Sequence, residues 1–186
     1  MTTFQIHTPE SAPERSRASL ASIEKRLGFV PNLYGTFADS PAVLDGYLGL
    51  ADAFGKSAFD ATERQVILLT VSFENGCDYC MAAHSTVAGM EGVSAEVIEA
   101  VRDGMPVGDA RLDALARFTR SLVQERGWAS PDELRAFLSA GFTKAQAMEV
   151  VLGIGLKTIS NYVNHLGATP VDDAFQAQSW SRPAAV

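Results

Sequence analysis

The stretch Ala61-Thr62-Glu63-Arg64-Gln65-Val66-Ile67-Leu68-Leu69-Thr70-Val71-Ser72-Phe73-Glu74 decides how the rest of the chain is read. Its centre, Val66 to Val71, is apolar on nearly every side and rich in β-branched residues, so periodicity alone allows a buried strand or a buried helix. Length resolves the choice. The segment has helix length, shows no turn residue at either end of the apolar run, and has Asp60 available as a cap. Asn75-Gly76 then breaks it. No other stretch reads as a strand that could pair with it. A helix is expected here, and with it an all-α chain.

Working outward, the flanking segments carry helical signals of their own. Ala18, Leu20, Ile23 and Leu27 form a stripe between Pro13 and Leu27 that Gly28 can stop. Pro31 opens a short helix through about Ala38. Ser40-Pro41, a capping residue followed by proline at the first helical position, opens another that ends near Gly55. After Asn75-Gly76 a helix is expected from about Asp78 to Met90. Ser94-Ala95-Glu96-Val97 reads as a capping box for a helix to Arg102. Asp109 to Arg126 is amphipathic. Ser130-Pro131 starts a helix to about Ala140, and Thr143 caps a last long one from Lys144 to Leu166. The expectation is a bundle of about eight or nine helices over residues 13–170. A polar arm at 1–12 precedes it and an extended tail at 171–186 follows.

The 186 residues suffice for one domain that buries its own core without disulfide staples. A net charge of −7 with no basic cluster argues against a nucleic-acid or anionic-membrane partner. The longest apolar runs, Val66 to Val71 and Val150 to Leu156, are too short to span a bilayer. A polar N-terminus without an apolar core segment points to the cytoplasm, where thiols rest reduced and a disulfide would be transient. The apolar surplus of those two runs exceeds what a small bundle easily hides, which leads to the expectation of a subunit interface.

Chemistry concentrates in Glu74-Asn75-Gly76-Cys77-Asp78-Tyr79-Cys80-Met81-Ala82-Ala83-His84, which holds both cysteines and one of three histidines. Cys77 should sit at the first turn of its helix, where free N–H groups and the helix dipole favour a thiolate. Cys80, three residues on, shares that face, and His84 follows one turn later, where an imidazole can take a thiol proton. The spacing thus supplies a nucleophile, a partner that can close a disulfide, and a base. Three plainer readings stand beside it. Buried cysteines can be small hydrophobes. Two cysteines and a histidine can be zinc ligands, with Asp78, Glu74 or His165 as a fourth. A C-x-x-C motif can be thioredoxin-like, but that fold needs strands around it.

The run Thr70-Val71-Ser72-x-x-Asn75-Gly76-Cys77-x-x-Cys80-x-x-Ala83-His84 resembles the signature of the carboxymuconolactone decarboxylase-like superfamily, in its alkylhydroperoxidase D (AhpD) branch. Val30-Pro31-Asn32-Leu33-Tyr34, Ser40-Pro41 and Glu63-Arg64 add to the likeness. The resemblance implies an AhpD-like helical bundle, assembly into homotrimers or hexamers, and a thiol-dependent peroxidase needing no cofactor and no metal. It implies that Cys80 attacks a hydroperoxide, that Cys77 resolves the product into a disulfide, that His84 serves the proton relay, and that an external dithiol restores both thiols. The chain departs from AhpD at two positions: Tyr79 stands where AhpD has a histidine, and Gln65 where it has the relay glutamate. Glu74 and Glu63 are the substitute carboxylates. Lactone decarboxylation, as in the founding branch, has no use for a second thiol. A redox-sensing or metal-binding oligomer is the non-enzymatic alternative.

Overall fold

The computed structural model describes residues 4–183. Nine α-helices and one 3-10 helix follow one another without a strand among the described residues: α1 (Glu14–Leu27), α2 (Asn32–Phe37), α3 (Pro41–Gly55), α4 (Ala61–Glu74), α5 (Asp78–Met90), α6 (Ala95–Arg102), α7 (Ala110–Gln124), α8 (Pro131–Ser139), α9 (Lys144–Gly167) and the 3-10 turn Asp173–Gln178. The all-α expectation holds. No helix is long and apolar enough to cross a membrane.

Helix α4 is the central rod, packed against α5, α6, α7 and α9. Residues Val66 to Val71 are all buried, which is why their apolar character shows no periodicity. Asp60 and Glu63 close a capping box at its start. The chain therefore absorbs this apolar run itself, without a neighbour. Val150 to Leu156 behaves differently: Val150, Gly153 and Leu156 face inward while Val151 is 54% exposed. Gly153 lets α9 approach closely, since a Cβ there would sit 2.8 Å from the Phe54 ring and 2.9 Å from Ile67.

Three local expectations need correction. Ser94 caps α6 through the Val97 N–H, but the residue at that position is valine, so no carboxylate returns the bond and the box is half made. The arm is docked: the His7 N–H donates to the Gly35 carbonyl, and the buried imidazole lies 2.8 Å from Asp39 and 3.1 Å from the Ser11 carbonyl. The tail, expected to be extended or disordered, packs in its described part, 171–183, across the start of α5, and 184–186 lie outside the described residues. Buried Asp172 accepts from the Tyr79 hydroxyl at 2.6 Å and from the Asn32 N–H at 3.0 Å. Phe175 meets Tyr79 and Phe29 edge-on, while Trp180 tilts onto Phe73 and donates to the Arg102 carbonyl. These anchors are single polar and aromatic residues spaced along otherwise polar sequence, so no periodic signal announces them.

Candidate active site

The turn that begins α5 sets the geometry. Gly76 takes φ +64°, a left-handed conformation that glycine adopts without steric cost, and so turns the chain from α4 into α5. Asn75 donates through Nδ2 to Asn161 Oδ1 at 2.8 Å, which ties that turn to α9. Cys77 becomes the N-cap of α5 and Cys80 lies in its first turn, so both sulfurs sit at the positive end of the helix. Both are buried, free thiols.

What faces them comes from α9. Lys157, Ser160, Asn161 and Asn164 lie on one helical face and all are buried. Asn164 donates from Nδ2 to Cys80 Sγ at 3.3 Å and reaches Cys77 Sγ at 3.9 Å. Ser160 Oγ is 3.7 Å from Cys80 Sγ. Lys157 is wholly buried, and its Nζ finds no hydrogen-bond partner of its own among the described residues. A lone ammonium in such a place demands a nearby anion.

The acidic group that Lys157 acts on is Cys80. Burial alone pushes its thiol up, but the hydrogen bond from Cys77, the Lys157 charge and the Ser160 hydroxyl outweigh burial and hold it well below the usual thiol range. Cys77 moves the opposite way: its hydrogen bond to Cys80 keeps the proton on it, and burial adds to the effect. One proton is thus shared unequally by the pair, and Cys80 gives it up more readily than Cys77.

His84 is placed beside these groups but in another role. Burial first, and then the Lys157 charge, hold its imidazole well below the usual range, so the ring is neutral. No hydrogen bond joins it to either thiol among the described residues. Its Nδ1 lies 3.1 Å from Gln65 Oε1, and the Gln65 amide is oriented by donating from Nε2 to Glu91 Oε2 at 2.9 Å. An acceptor oxygen at Nδ1 requires the proton there, leaving Nε2 as a lone-pair acceptor. The ring lines a cavity of about 220 Å³ together with Tyr34, Tyr47, Tyr79 and Phe175.

The two expected relay carboxylates are committed elsewhere. Glu74 accepts from Arg120 Nε at 2.7 Å and from Gln124 at 2.9 Å, its side chain 4% exposed. Glu63 accepts from Arg111 at 3.0 Å and completes the cap of α4, with the Arg111 guanidinium 3.7 Å above the Phe142 ring. Both corrections have one cause: α7 brings arginines to positions that the local sequence of α4 does not reveal. As for zinc, His165 is exposed on the rim of a depression that includes Cys77. Among the described residues no group of three or more histidine, cysteine, aspartate or glutamate side chains converges to hold a metal ion.

The residue that sequence reasoning missed is Lys157. A signal existed: Val150, Gly153, Leu156, Lys157, Ser160, Asn161 and Asn164 form one continuous helical stripe that changes from apolar to polar halfway along.

The match to known proteins falls on this region. Residues 41–121, which include α4, the turn and α5, match the profile of the carboxymuconolactone decarboxylase family. The chain's fold is AhpD-like. The alkylhydroperoxidase AhpD core structure of an uncharacterized peroxidase-related protein from Ralstonia eutropha JMP134 superposes with a TM-score of 0.83 at 20% identity, over 94% of this chain and 96% of that one. An uncharacterized peroxidase-related protein from Silicibacter sp. TM1040 gives 0.80 at 20% identity, over 95% and 94%. A cysteine variant of the debrominase Bmp8, in complex with 2,3,4-tribromopyrrole, gives 0.79 at 17% identity, over 96% of each chain. At these identities the likeness is one of fold. No curated protein matches the chain.

Proposed function

We propose that this chain belongs to the carboxymuconolactone decarboxylase family and is an enzyme of the oxidoreductase class, a thiol-dependent peroxidase of the alkylhydroperoxidase kind. The observation that carries the reading is the buried Cys80 sulfur, its acidity raised between a proton-holding Cys77 and an otherwise unpartnered Lys157. Such a sulfur is acidic, desolvated and adjacent to its resolving thiol, which are the three properties that peroxide reduction by a dithiol requires.

The steps balance with the groups at hand. The Cys80 thiolate attacks the terminal oxygen of a hydroperoxide, the O–O bond breaks, and the alkoxide leaves with a proton from Lys157 as an alcohol. Neutral His84 accepts a hydrogen bond from the hydroperoxide O–H and orients it. The Cys77 thiol then attacks the Cys80 sulfenic acid, giving the disulfide and water. An external dithiol reduces that disulfide by exchange, becomes a disulfide itself, and returns both thiols; Cys80 gives its proton back to Lys157. The outward face of α9, with Met148 70%, Tyr162 59% and Leu166 70% exposed, supports self-association as part of this reading.

A second reading draws on the aromatic walls of the cavity at His84. The same dithiol could reduce a bromoarene, with the ring gaining hydrogen, bromide released and the disulfide formed. One assay separates the two. With a dithiol reductant, wild type should consume hydroperoxide steadily, Cys77→Ser should oxidise without forming the internal disulfide, and Cys80→Ser should be inert. Unchanged consumption by Cys80→Ser ends the peroxidase reading. Bromide release from a bromopyrrole without peroxide consumption selects the second.

A further inference from the structure

The cavity at His84 contains two polar groups that the chain itself leaves without a partner. Arg26, exposed in the last turn of α1, lines the cavity, and its side chain makes no ion pair or hydrogen bond among the described residues. Tyr34 lines the same cavity; burial first and then Tyr47 push its phenol up, while the Arg26 charge pulls the other way. The Tyr34 hydroxyl too makes no hydrogen bond among the described residues. The third phenol on the wall is different, because Tyr79 already accepts from the Leu33 N–H at 3.2 Å and donates to Asp172. Tyr47 is the remaining phenol, its hydroxyl bonded to Ser160, and apart from His84 the rest of the lining is apolar, from Leu27, Leu33, Val87 and Phe175. At about 220 Å³ the space lies below the ~300–1,000 Å³ usual for small-molecule pockets. It suits a single ring or a short branched chain, not a fused ring system or a long acyl chain.

A guanidinium and a phenol that line one small cavity can both donate to a carboxylate bound in it. His84 lies in the same cavity. We propose that the cavity takes a compact apolar hydroperoxide bearing a carboxylate, with its acid group on Arg26 and Tyr34 and its body against Leu33, Val87 and Phe175. This assignment rests on the peroxidase reading for the word hydroperoxide, while the carboxylate preference rests on the cavity alone.

The two parts are tested separately. Calorimetric titration of the full chain uses para-isopropylbenzoate and its neutral isostere, para-isopropylbenzamide. Wild type should bind the acid about tenfold more tightly at low salt, with the preference shrinking as salt rises. Arg26→Gln should abolish the preference and Tyr34→Phe should reduce it. Equal binding of acid and amide by wild type, binding of neither, or a preference that survives Arg26→Gln overturns the proposal. Consumption of cumene hydroperoxide is measured alongside. A carboxylate preference with no peroxide consumption leaves the acid site standing and removes the peroxidase reading; consumption without a carboxylate preference does the reverse.

Discussion

Replacing Lys157 by methionine tests the central electrostatic argument. Methionine keeps an unbranched chain in a fully buried slot and removes only the charge. At a separation of about 4 Å and an effective dielectric near 20, two unit charges attract by about 4 kcal/mol, equivalent to roughly three pKa units. Rearrangement and water entry should return part of this, so the Cys80 midpoint is expected to rise by about two units. The thiolate fraction at neutral pH would then fall. Higher intrinsic nucleophilicity offsets part of that loss, with a Brønsted slope of about 0.4–0.5. The net result is a peroxide reaction slower by about tenfold. Thiolate ultraviolet absorbance is followed against pH, each protein being compared with its Cys80→Ser counterpart. A midpoint that moves by less than about half a unit in a folded Lys157→Met variant would refute the reasoning, because the thiolate would then owe its stability to Asn164, Ser160 and the helix terminus.

Two further outcomes follow from the same geometry. His84 binds a proton less readily in the folded chain than in the unfolded one. Below the unfolded value of about 6.5 the unfolded state therefore takes up the extra proton, and stability falls as pH drops through that window. Denaturant titrations at about pH 7.5 and about pH 5.5 should show His84→Gln losing about 1.4 kcal/mol less than wild type. Tyr79→Phe strands the buried Leu33 N–H and removes a bond to Asp172; it should cost about 1–3 kcal/mol and speed proteolysis within residues 171–183. An unchanged cleavage rate would mean that Phe175 and Trp180 hold the tail without that anchor.

The helices were legible because each carries its own local signal. Proline at the first turn of α3 and α8, the Asp60 and Thr143 caps, and the Asn75-Gly76 break are all short-range chemistry. The same holds for Cys77 at the N-cap and Cys80 in the first turn, since three-residue spacing on a helix fixes their neighbourhood. Glu74 and Glu63 failed as relay candidates for the opposite reason. A carboxylate's role depends on what stands across from it, and Arg120 and Arg111 come from a helix some 46 and 48 positions away. The Glu91–Gln65–His84 chain is similar: the glutamine reads as a lost relay residue in sequence, yet in space it sets which imidazole nitrogen is free.

The amino-acid sequence by itself determined that the chain is helical, where α4 and α5 begin, and that two thiols and an imidazole share one short stretch. Those are properties of residues within a few positions of each other, governed by backbone caps and helical pitch. Only the tertiary structure decided which thiol gives up its proton more readily. That choice depends on Lys157, Ser160 and Asn164, delivered by α9 from some eighty positions away. An ionisation equilibrium responds to charges and donors within a few ångströms, whatever their distance along the chain.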